Sequence, residues 1–98
     1  MKNKLLDIIR FYGISKQLKY IHSEYYELDE AIITQLNDEY TYYEKVEEEH
    51  KKHIKEEIAD IMVMLKQFQY IYNITDKEIE EIMDYKIDRQ LERIKEEE

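Results

Sequence analysis

The run Glu56-Glu57-Ile58-Ala59-Asp60-Ile61-Met62-Val63-Met64-Leu65 decides how this chain is read. It contains no Gly and no Pro. Its apolar residues continue a stripe through Ile54, Ile58, Ile61/Met62, Leu65, Phe68 and Tyr72, at the spacing of a helix face. Glu57 and Asp60 flank that stripe. Side chains three apart on a helix are neighbours, with Cβ atoms about 5–6 Å apart, so the two carboxylates point the same way. An upstream run repeats the device. Ser23-Glu24-Tyr25-Tyr26-Glu27-Leu28 sets Glu24 and Glu27 beside a second stripe of Leu18, Ile21, Tyr25, Leu28, Ile32 and Leu36. Two such helices packed face to face would bring four carboxylates together. Oxygen ligands of this kind suit Mg2+, which commonly bridges to phosphates.

The rest of the chain reads as helix around these two. Leu5, Ile8, Ile9 and Tyr12 predict a short amphipathic helix from about Lys4 to Tyr12. Gly13 ends it, and Ser15 offers an N-cap to the next, which runs to about Leu36. Asn37 and Asp38 mark its end. The stretch from Asp38 to Glu49 reads as a loop that turns helical before His50. Tyr40, Tyr42 and Tyr43 in that loop suit either stacking on a base or packing between subunits. The third helix runs to about Tyr72 and Asn73 closes it. Thr75 with Glu78 is a capping-box signature for a fourth. That helix carries Ile79, Ile82/Met83, Ile87, Leu91 and Ile94, with Glu96–Glu98 fraying.

Composition agrees. The 98 residues hold one Gly and no Pro, so the turn residues that strands need are missing. The expected fold is all-α: one domain over residues 1–98, a bundle of three long helices plus one short N-terminal helix. A helix of about 22 residues is about 33 Å long, whereas a compact domain of this length has a radius of gyration near 13 Å. Such helices leave apolar surface uncovered, so the bundle is expected to be completed by oligomerisation, as a homodimer or homotetramer.

The absences narrow the chemistry. No Cys means no thiol nucleophile, disulfide or thiolate metal site. One Gly cannot build a phosphate-cradling loop. A net charge of −9 argues against a nucleic-acid partner. No apolar run is long enough to span a bilayer, and the first residues lack a signal-peptide core. The expectation is a cytoplasmic protein with no membrane partner. His50 and His53, with Glu57 four residues on, could form a His-His-acid site for a transition metal, but they read as exposed members of a charged stretch; one Glu47-x-x-His50 falls short of a di-iron bundle.

On Gln17-Leu18, Ser23-Glu24-Tyr-Tyr-Glu27-Leu28, Glu56-Glu57-Ile-Ala-Asp60-Ile-Met-Val-Met-Leu65 and Lys86-Ile-Asp-Arg89, the chain resembles the MazG-like nucleoside triphosphate pyrophosphohydrolases of the all-α NTP pyrophosphatase superfamily. The resemblance covers about Gln17 to Arg89. It implies cleavage of a (deoxy)nucleoside triphosphate between the α- and β-phosphates, giving the monophosphate and pyrophosphate. It further implies that Glu24, Glu27, Glu57 and Asp60 hold Mg2+, with Mn2+ as a possible substitute. Gln17, Lys86 and Arg89 map to substrate contacts. Ser23 stands where such proteins often carry Glu, and Tyr25 and Tyr26 are bulky where small residues are frequent. Base and sugar preference therefore stay open. The competing reading is a non-catalytic acidic helical oligomer that serves as a protein-interaction module, which would tolerate loss of the acid pairs.

Overall fold

A computed structural model of the chain describes residues 1–39 and 48–98. It holds four helices in the order α1 (Lys2–Tyr12), α2 (Ile14–Glu39), α3 (Glu48–Ile71) and α4 (Asp76–Glu97), and the described residues contain no strand. The reading of Tyr40, Tyr42 and Tyr43 falls outside the described residues.

The helix ends follow local chemistry. Gly13, at φ 90°, both ends α1 and begins α2. Its N–H donates to the Ile9 carbonyl at 2.8 Å, and its own carbonyl accepts from the Gln17 N–H at 3.1 Å. Ser15 therefore sits inside the first turn of α2 rather than capping it. With no Cβ, Gly reaches this backbone region without steric cost, so the chain turns on one residue. At the end of α3, Asn73 has φ 58°. Ile74 N–H reaches the Gln69 carbonyl and Asn73 N–H the Tyr70 carbonyl, each at 3.0 Å, a Schellman closure. Thr75 and Glu78 form the reciprocal capping box, at 3.1 and 3.2 Å.

α2 and α3 pack against each other as antiparallel neighbours, and α1 lies on both. α4 packs against none of the three. It is tied at its first residue, where the Asp76 carboxylate accepts from Lys66, Gln69 and Tyr70 at 2.7–3.2 Å. Beyond that corner, α3 and α4 diverge around a groove of about 520 Å3 lined by Met62, Leu65, Ile79 and Met83 among others.

The apolar core of the described residues is small: Leu5, Ile9, Ala31 and Met64. Gln17, Gln35 and Gln67 are buried with them. The inward face of α2 runs through Gln17, Ile21, Glu24, Leu28, Ala31 and Gln35. The expected stripe is thereby corrected, because Leu18, Tyr25, Ile32 and Leu36 are exposed. α3 behaves alike: Ile54, Glu57, Ile61, Met64 and Gln67 turn inward, while Ile58, Met62, Leu65 and Tyr72 face out. Adjacent positions on a helix are about 100° apart. α2 and α3 thus each carry an inner seam and a separate apolar stripe beside it. No helix among the described residues is long and apolar enough to cross a membrane.

Candidate metal centre

The inner seam carries the acids. Gln17 meets Gln67, Glu24 interacts with Asp60, and Glu27 with Glu57. One antiparallel register satisfies all three pairs. Both Glu-x-x-acid turns consequently fall at the same level of α2 and α3. One oxygen from each of Glu24, Glu27, Glu57 and Asp60 lies within 4.8 Å of the others. Glu24 and Glu57 are half-buried, while Glu27 and Asp60 are exposed at the mouth.

Four carboxylates this close disfavour one another's charge. Burial, and then the charge of Glu27, raise the Glu24 carboxyl above its ordinary 4.5. Burial and Glu27 raise Glu57 in the same direction. His53 Nε2 lies 3.4 Å from Glu57 Oε1 and opposes that rise when protonated. Oε2 of Glu24 and Oε2 of Glu57 are buried without a hydrogen-bond partner. Buried polar atoms are normally satisfied. Two orphaned carboxylate oxygens that converge with two further acids fit a hard divalent cation, with oxygen donors and open positions at the mouth.

The raised acids make a pH prediction. A carboxyl with a raised folded-state pKa stabilises the fold fully below its unfolded value of about 4.5, and that contribution is lost as pH rises through the folded value. In chelator, the melting temperature of the wild type should fall as pH is raised from about 4.5 towards neutrality. Glu24→Gln should fall less steeply. Equal slopes for the two proteins in a series of thermal melts would contradict strained carboxylates.

The other residues singled out in the sequence lie elsewhere. Gln17 is on the same seam, 4% exposed, with its Nε2 donating to Gln67 Oε1 at 2.8 Å. Lys86 and Arg89 lie on α4, which does not reach the acid cluster of its own chain. With Tyr85, Gln90 and Arg93 they line a small pocket of about 120 Å3. Arg89 lies 6.0 Å over the Tyr85 ring. Neither cation makes an ion pair among the described residues, so the neighbouring acids of α4 do not occupy them. His53 is exposed, as its charged stretch suggested, and faces Glu57 four residues on, whereas His50 is half-buried rather than exposed. Gln67 is the residue that sequence reasoning missed. Gln67 had no signal beyond lying seven residues after Asp60. The chain matches no family model, no curated protein and no solved structure.

Proposed function

We propose that this chain is a Mg2+-dependent pyrophosphohydrolase of nucleoside triphosphates. The observation that carries the proposal is the convergence of Glu24, Glu27, Glu57 and Asp60 within 4.8 Å, with two buried oxygens unsatisfied. Mg2+ held there, or Mn2+ in its place, would offset phosphate charge and lower the pKa of an attacking water. The protein's own part is positioning. Glu24 and Glu57, half-buried, fix the floor of the site, and His53 holds the Glu57 carboxylate from outside. Glu27 and Asp60, at the mouth, face the incoming phosphates. A chain of charge −9 would repel a triphosphate without the cation between them.

The same proposal includes a second copy of the chain. The accessible surface is 8420 Å2, against roughly 6,100 Å2 for a compact monomer of this mass. The radius of gyration is 16.7 Å, against about 13 Å. The excess surface is larger than the roughly 800 Å2 that each partner contributes to a standard interface. α4, exposed along its apolar stripe and carrying Lys86 and Arg89, which make no ion pair among the described residues, is the element that a partner would take up. In such a dimer or tetramer Lys86 and Arg89 would approach the phosphates at the acid cluster of the other copy. Arg supplies a planar donor fork for phosphate oxygens and Lys a point charge.

The test is a panel of common ribo- and deoxyribonucleoside triphosphates with Mg2+ or Mn2+, read for pyrophosphate and for orthophosphate. Pyrophosphate and the monophosphate are expected from at least one of them, and only with metal. Intact triphosphates throughout would defeat the enzyme and favour the non-catalytic helical oligomer.

A further inference from the structure

Gln17 and Gln67 are an expensive choice for the interior of so small a bundle. They are 4% and 1% exposed. Their mutual hydrogen bond, at 2.8 Å, spans fifty residues of sequence from α2 to α3. Gln67 Nε2 turns to the Met64 sulfur at 3.7 Å, and Gln17 Oε1 has no partner. Buried amides that satisfy each other only in part add little net stability, and apolar residues of the same volume would serve the core as well or better. Their best-attested use is to specify register, as a buried polar residue does in a coiled coil.

Register is what the acid cluster depends on. Gln17 is seven residues before Glu24 and Gln67 seven after Asp60, so the amide pair lies two turns along the same seam, about 10 Å from the acids. If α3 slid by one turn, Glu24 would face Met64 and Glu57 would face Ala31. Glu24 and Glu57 would part by about 10 Å along the seam while Glu27 and Asp60 stayed nearly level, so the four-carboxylate cluster would be broken and its repulsion eased. The same slide would set Gln17 against Ile71 and Gln67 against Ile21, leaving two buried amides unpaired. A slide in the other direction would set Gln17 against Val63 and again orphan both amides. The apolar seam residues, Ile21, Leu28, Ile61 and Met64, do not discriminate among these registers by chemistry.

We propose that the Gln17–Gln67 pair is a register lock that positions the α2 and α3 acids to form one cation site. The proposal rests on the metal reading of the acids. Gln17 on this account is a positioning residue.

The chain has no cysteine, so spin labels can be placed cleanly at the exposed Lys19 and Lys55. Labelled chains diluted into unlabelled ones report the α2–α3 distance in the protein without metal. Mn2+ affinity, read from the free-ion resonance, reports the site without any turnover. In Gln17→Leu/Gln67→Leu, the melting temperature should be retained, the label distances should shift or broaden, and the Mn2+ dissociation constant should rise at least tenfold. Gln17→Met/Gln67→Met should behave the same way. A double variant with the wild-type distance distribution would overturn the lock, as would one with wild-type Mn2+ affinity. Unfolding of both double variants would also overturn it, since the pair would then supply stability rather than register. Should the wild type itself bind no Mn2+, the metal reading falls, and the label distances still decide whether the amides set the register.

Discussion

Glu57→Gln and Asp60→Asn are each expected to lose more than about 100-fold in turnover, without loss of fold. Changes to residues that merely support a metal ligand typically cost about 10–100-fold in affinity or activity, and these two would be ligands themselves. Stability should move the other way. In the absence of metal the four acids repel one another, and Glu57 is held away from its charged form by burial and by Glu27. Removing one charge relieves that, so the melting temperature in chelator should rise or stay level. With saturating Mg2+ the order should reverse, because the wild type gains stability from bound cation and the variants gain less. Four melting curves, wild type and variant with and without Mg2+, check this beside the rates. A variant that keeps full activity would remove that residue from the site.

The second large effect concerns assembly. Light scattering at micromolar concentration should give at least twice the 12.2 kDa of one chain. Ile87→Asp should return the protein to a single-chain mass, since it places a charge on an apolar stripe with no room for one in a packed interface. Arg89→Ala should keep the larger mass yet lose at least tenfold in kcat/KM, about 1.4 kcal/mol of transition-state stabilisation. If α4 acts on the other copy's acids, inactive chains should rescue one another. Glu57→Gln mixed with Arg89→Ala and re-equilibrated as dimers should recover about a quarter of the sites, because a mixed dimer has one intact pairing of acids and cations. No recovery, or a mass of one chain for the wild type, would place those cations outside the site.

Much of this architecture is legible from residues. Gly13, Asn73 and the Thr75–Glu78 pair punctuate the chain by backbone chemistry that acts locally, and the helix ends fall within two or three residues of them. The closeness within each acid pair is equally local, a property of three-residue spacing. The face that turns inward was not legible. Hydrophobicity ranks Leu18, Tyr25, Ile32 and Leu36 above Gln17, Glu24 and Gln35, yet the second set is the seam. Which polar residues turn inward is set by what faces them on another helix, as Gln17 Nε2 is met by Gln67 Oε1, at a separation no local pattern encodes. The distance of Lys86 and Arg89 from their own chain's acids was illegible for a related reason. Sequence puts them on a face of α4, whereas the direction of α4 depends on the corner at Asp76.

Gly13 joins α1 to α2 with no residue of slack. α1 therefore cannot slide along its neighbours; it can only swing, by rotation about the bonds of that one residue. Leu5 and Ile9, among the most buried apolar side chains described, lie about 12 and 6 Å from the pivot along the helix. A swing of about 10° would carry Leu5 roughly 2 Å, enough to unseat it from close packing, while Ile9 moved half as far. Lifting the N-terminal helix from α2 and α3 would therefore mean unseating these two side chains, with Gly13, the least restricted residue type, as the only hinge.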